Sequence, residues 1–194
     1  MEKINFDKES HTYTTSEGVT LISVTQVLTE AGVISGGNFY TDYACQRGTM
    51  SHLACEYYDD GDLDESEIDP VIIPRLEAWK KFKRETKFEV IENELLVHSI
   101  HGFAGTLDRL GDMGGATTLV DIKTSAAQAP WWGLQLGGYE IALKEMKPDL
   151  GLINRVTVQL LESGEYKITS FKDRNDKKVF LAALALAKWK RRIA

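Results

Sequence analysis

Gly105-Thr106-Leu107-Asp108-Arg109-Leu110-Gly111-Asp112-Met113-Gly114-Gly115-Ala116-Thr117-Thr118-Leu119-Val120-Asp121-Ile122-Lys123 reads as two strands joined by a tight turn. Gly-Gly is a favoured pair for a two-residue hairpin, because both central positions need a positive φ. A turn centred on Gly114 and Gly115 sets opposite one another residues whose numbers sum to 229, as those of Asp108 and Asp121 do. Their Cα atoms would lie about 4.5 to 5.5 Å apart. Strand alternation puts Lys123 on the same face as Asp121. Two carboxylates and an ammonium therefore converge.

Carboxylates this close repel, and one holds a proton unless a cation sits between them. A hard divalent ion resolves the conflict: Mg²⁺ or Mn²⁺ prefers oxygen ligands and takes one or two carboxylates from the protein. Such an ion polarises a phosphoryl oxygen and acidifies water, while Lys123 would stabilise charge or orient that water. An isolated Asp-x-Lys equally describes an exposed hairpin with solvated charges. Here Leu119, Val120 and Ile122 surround Asp121, the pattern of a strand buried on both faces, where unpaired charge is costly.

Downstream, Trp131-Trp132-Gly133-Leu134-Gln135-Leu136-Gly137-Gly138-Tyr139-Glu140 opens a helix after Pro130, with Gln135 and Tyr139 on one face at i and i+4. Upstream stand Ser23-Val24-Thr25-Gln26-Val27-Leu28 and Arg47-Gly48-Thr49-Met50-Ser51-His52-Leu53-Ala54-Cys55-Glu56. Taken in order over residues 11–172, these motifs resemble the RecB-type exonuclease branch of the PD-(D/E)XK nuclease superfamily. The resemblance implies a restriction-endonuclease-like α/β fold with a central mixed sheet flanked by helices. It makes His52, Asp108, Asp121 and the Ile122 carbonyl metal ligands, with Asp108, Asp121 and Lys123 catalytic. Gln135 and Tyr139 would contact the DNA backbone or brace the site. Asp121 stands where many relatives carry Glu. Glu56, one helical turn from His52, and Glu94, on the strand before Asp108, could serve a second metal. It also implies hydrolysis of DNA, linear duplex or single-stranded, by an exonuclease of phage recombination or repair, beside a single-strand annealing or recombination protein. A structure-selective or site-specific endonuclease and a noncatalytic nucleic-acid-binding module are the alternatives.

The remaining histidines read as structural: His98 and His101, three apart on a strand, face opposite ways, and His11 stands alone. Trp131 and Trp132 could stack on bases, pack in the core or line a cleft. Gly137-Gly138 inside a helix costs about 1 kcal/mol per Gly relative to Ala, which close approach to the sheet or a substrate would explain.

A length of 194 residues with 43% hydrophobic side chains suits one sizeable core, so one domain is expected over 1–194, with a helical part at about 20–86 and a core at about 88–191. Two cysteines are too few for a disulfide scaffold. No signal-peptide pattern and no apolar run of membrane-spanning length occurs, which fits a cytoplasmic protein. The net charge of −6 argues against a nonspecific DNA binder. Seven acidic residues fall within 59–69, however, read as a solvated loop. Basic residues cluster at 80–84 and 188–192, either as phosphate tracks or as solvated helix faces. Helices are expected at 23–31, 39–58, 71–86, 131–147 and 175–191, and strands at 88–97, 102–110, 117–123, 153–161 and 165–172.

Overall fold

The computed structural model of the chain describes residues 3–34, 41–125 and 127–193. Its strands are β1 (Ile4–Asp7), β2 (Thr12–Thr15), β3 (Thr20–Ser23), β4 (Phe88–Ser99), β5 (Phe103–Met113), β6 (Thr117–Lys123), β7 (Asn154–Leu160) and β8 (Tyr166–Ser170). Its α-helices are α1 (Val24–Ala31), α2 (Asp42–Asp60), α3 (Ile73–Thr86), α4 (Trp132–Met146) and α5 (Asn175–Ile193). From β4 onward the order is the expected one. The helix anticipated from 39 begins at Asp42, and its first two expected positions lie outside the described residues.

The β5–β6 hairpin forms with the register read from the sequence: Arg109 pairs with Val120, Leu110 with Leu119, Gly111 with Thr118 and Asp112 with Thr117. Gly114 and Gly115 have φ of 65° and 84°, a region L-residues enter only with strain, and Met113 N–H donates to the Ala116 carbonyl across the turn. β4 runs antiparallel along the full length of β5, β7 joins β6 in parallel, and β8 closes that side antiparallel. The sheet is therefore mixed and flanked by helices, as the fold reading required.

The sequence pattern predicts no strand over 4–23, yet these residues form an antiparallel meander whose last strand pairs in parallel with β5. Four-residue strands are too short for alternation to show. Their placement matters for the site. β4 occupies one edge of β5; the other edge is shared by β3 at residues 103 and 104 and by β6 at 109–112. Between them, among the described residues, 105–108 have no ladder partner on that edge. The sheet splits open there, at Gly105-Thr106-Leu107-Asp108.

Helix starts and stops follow local chemistry. Ser23 caps α1 through a reciprocal capping box with Gln26. Thr41 caps α2 by accepting from Ala44 N–H, and Gly61 ends it in the left-handed conformation. One sheet face packs α1, α4 and α5 around Leu107, Leu119, Leu136 and Phe180. The other packs α2 and α3 through Cys55, Trp79 and Phe82 against Val120, Ile122 and Val158. Each of these large apolar side chains contributes roughly 1.5–3 kcal/mol on burial. The paired glycines of α4 answer to α5: a Cβ on Gly138 would lie 2.7 Å from the Phe180 ring, and one on Gly137 would lie 3.2 Å from the backbone at Asp176. Helix against helix, rather than helix against sheet, explains them.

Candidate active site

Asp108 sits where the β5–β6 ladder gives out. One pair beyond Arg109–Val120, the Ile122 N–H donates to Asp108 Oδ2 at 2.6 Å, so the carboxylate replaces a main-chain acceptor and is locked in place. On the neighbouring strand, Asp121 is 2% exposed and forms an ion pair with Lys123 Nζ at 2.5 Å. Lys123 also donates to Gln135 Oε1 at 2.9 Å. Gln135 in turn makes a long contact of 3.5 Å with the Tyr139 hydroxyl. Both α4 residues are buried, and of the two it is Gln135 that touches Lys123. The Tyr139 ring lies where a Cβ on Gly105 would come within 2.7 Å, so only glycine lets α4 approach the open edge of β5 this closely.

From the other sheet face, α2 presents His52 with Nδ1 3.5 Å from Asp108 Oδ2. Ligand atoms of His52, Glu94 and Asp108 all lie within 4.8 Å of one another. Glu94 has a φ of 45°, unusual for a residue with a side chain and costing of order 1–3 kcal/mol, a kind of strain that clusters at functional sites. A β-bulge at Ile91, between the Val90–Gly111 and Glu92–Leu110 pairs, precedes it in β4. Glu56 borders the same cavity as His52 and Glu94. His52, Asp108, Asp121, Lys123, Gln135, Glu94 and Glu56 are thus gathered around one cleft.

The electrostatics are those of a carboxylate surplus. Burial, reinforced by the Asp108 charge, pushes the Asp121 carboxyl up from the usual 3.8 to about 6 despite Lys123. Burial and the same Asp108 charge push Glu94 up to about 8 despite Arg109. A divalent cation is the group that relieves both at once: Glu94, Asp108 and the His52 imidazole bring their ligand atoms together, and Asp121 lines the smaller cavity that His52 and Asp108 also border.

Residues 62–193 match the model of the PD-(D/E)XK nuclease superfamily. The chain belongs to the PD-(D/E)XK nuclease superfamily. The matched span holds Glu94, Asp108, Asp121, Lys123, Gln135 and Tyr139; His52 and Glu56 precede it. Among solved structures, the chain is similar to a putative exonuclease from Eubacterium rectale at 10% identity and TM-score 0.55, covering 89% of this chain and 79% of that one. It is also similar to an alkaline exonuclease from Laribacter hongkongensis at 16% identity and TM-score 0.41, covering 89% and 92%. No curated protein matches the sequence.

Several sequence expectations change. Asp59, placed in a solvated acidic loop, has a side chain only 1% exposed at the end of α2. It accepts from Arg109 Nε at 2.7 Å, from Lys83 Nζ at 2.5 Å and from the Trp79 indole at 3.1 Å. Arg109, with a fully buried side chain, also donates to Glu94 at 2.9 Å, so it holds a member of the cleft from behind. Sequence reading missed this partner, although an Arg inside an apolar strand demands one. Several residues of the two basic clusters are paired within the chain: Lys80 with Glu65 and Glu77, Lys81 with Glu165, Arg191 with Glu30, and Lys188 with the His101 carbonyl. Trp132 is 1% exposed and belongs to the core, while Trp131 is half-buried at the cleft wall, with Lys123 Nζ 5.7 Å from both ring centres. His98 is the penultimate residue of β4, whereas His101 lies in the following turn beside Glu145, so the two do not share a strand. Among the described residues no helix is long and apolar enough to cross a membrane.

Proposed function

We propose that this chain is a divalent-metal-dependent DNA nuclease that hydrolyses phosphodiester bonds as an exonuclease. The observation that carries the reading is the convergence of His52, Glu94, Asp108 and Asp121 with Lys123 on the split edge of β5, in a chain of this superfamily. The exonuclease type draws on the sequence resemblance to the RecB-type branch and on the name of the Eubacterium rectale structural neighbour.

His52, Asp108 and Asp121 would hold Mg²⁺ or Mn²⁺, with the Ile122 carbonyl beside them and Glu94 or Glu56 supporting a second ion. When bound, such an ion polarises a phosphoryl oxygen and acidifies water for in-line attack. Asp108 needs no rearrangement for its part, because the Ile122 N–H already fixes its rotamer. Lys123, held between Asp121 and Gln135, keeps its ammonium at the reacting phosphate, where it offsets developing negative charge. Gln135, backed by Tyr139, restricts Lys123 from the α4 side. The biological setting follows from the resemblance: resection of DNA ends in phage or prophage recombination or in repair, beside a single-strand annealing protein, in a cytoplasm.

Labelled linear duplex and single-stranded DNA, incubated with Mg²⁺ or Mn²⁺, test the reading. Wild type is expected to degrade from ends and to spare closed circular plasmid, and Asp121→Ala and Lys123→Ala to be inactive. Nicking of the circle would move the assignment to an endonuclease. Undiminished cleavage by both variants would end the site assignment, and metal binding without cleavage of any nucleic acid would favour a binding module.

A further inference from the structure

Two cavities meet at the candidate metal site. The larger, about 550 Å³, is walled by the β1–β2 hairpin, α2 and the unladdered stretch of β5. The smaller, about 270 Å³, runs past Lys123 and Trp131. His52 and Asp108 border both, so a phosphate held between them has one neighbouring nucleotide on each side, one per cavity.

The far end of the larger cavity is aromatic. Phe6 stacks on Tyr13 with ring centres 4.5 Å apart and planes within 19° of parallel. His11 meets both rings edge-on, at 5.2 Å and 5.8 Å. Tyr13 is 2% exposed, and its hydroxyl hydrogen-bonds to Thr106 Oγ1 at 3.0 Å, which pins the stack to the strand carrying Asp108. Phe6 is half-buried, whereas His11 is exposed at the hairpin tip in the left-handed conformation, with a φ of 50°. A histidine read from sequence as structural thus borders the same cavity as His52.

The carboxylates that line this cavity, Glu56, Glu94 and Asp108, stand at or beside its metal-site end, and the hairpin end contributes three rings and Lys8. A planar group meets no carboxylate there. Stacking on aromatic side chains is also tolerant of sequence, because every base has a π-face. We propose that the β1–β2 hairpin is a base-stacking subsite, in which Phe6 and His11 hold the nucleobase adjoining the cleaved phosphate, unpaired from its complement. The subsite rests on the nuclease reading above for its substrate.

An oligonucleotide carrying 2-aminopurine at its terminal positions tests it in Ca²⁺, where stacking quenches fluorescence whether or not the strand is cut. Wild type is expected to quench; Phe6→Ala and His11→Ala are expected to lose the quenching and Phe6→Trp to retain it. His11→Ala changes an exposed side chain, which separates loss of the subsite from loss of folding. In the cleavage assay, an abasic residue at the same position should lower wild-type kcat/KM about tenfold and leave Phe6→Ala no worse than it is on the intact strand. Cleavage indifferent to removal of the base, or quenching unchanged in both alanine variants, overturns the subsite. Quenching without cleavage supports the subsite while removing the nuclease reading, so the two fail separately.

Discussion

Two buried charge clusters lie back to back across β5, and they are built on opposite principles. In the first, Asp59 has a cation or donor for each oxygen: Arg109, Lys83 and the Trp79 indole, with the Arg109 guanidinium also lying over the Trp79 ring at 5.7 Å. In the second, Asp108, Asp121 and Glu94 share Lys123 and the outer reach of Arg109. Matched charge can be buried as structure; a carboxylate surplus is tolerated only by holding protons or by taking up a cation. The difference marks the second cluster as the candidate for chemistry, and it is also the more open one: the Asp59 and Arg109 side chains are at most 1% exposed, whereas those of Glu94 and His52 are about a third exposed. Glu94, which touches both, sits in a strained backbone conformation.

Substitutions should separate the clusters by what they damage. Asp108→Asn, Asp121→Ala and Lys123→Ala are each expected to lower kcat on the order of a thousandfold or more while the urea midpoint stays near that of wild type. Asp59→Ala should do the reverse, costing about 3 kcal/mol in urea unfolding because it leaves Arg109 and Lys83 with buried, unbalanced charge. If Asp59→Ala proved stable and Asp108→Asn unfolded, the contrast would be inverted.

Metal and proton should act on the surplus cluster alone. At about a hundred times its dissociation constant, Mn²⁺ is expected to stabilise wild type by about 2.7 kcal/mol in thermal melts and to leave Asp108→Asn nearly unmoved. Without metal, raised carboxyl pKa values mean that the folded chain holds more protons than the unfolded one. Stability therefore falls as pH rises, between 3.8 and about 6 for Asp121 and between 4.5 and about 8 for Glu94. Melting temperature measured from pH 5 to 8 in EDTA should decline, and Mn²⁺ should flatten the decline. A flat profile in EDTA would remove the surplus as an energetic fact.

How much of this was legible depends on distance along the chain. The register of β5 and β6 was readable because Gly114-Gly115 admits one favoured turn and alternation does the rest. Convergence of Asp108, Asp121 and Lys123 follows from that local geometry, and the α4 brace from the i, i+4 spacing of Gln135 and Tyr139. The pairing of Asp59 with Arg109, fifty residues away, has no local signature. Neither has the meander at 4–23, whose strands are too short to show a period and whose role appears only when β3 lies beside β5. Where the ladder stops, and hence that Ile122 N–H turns to Asp108, is likewise a tertiary outcome.

The most direct test of the central claim is calorimetric titration of Mn²⁺ into wild type, Asp108→Asn and Asp59→Asn at pH 6.5 in two buffers of different ionisation enthalpy. Wild type and Asp59→Asn should bind with release of protons from the raised carboxyls, and Asp108→Asn should not bind. Binding of equal strength by all three, or binding to none, would contradict the account.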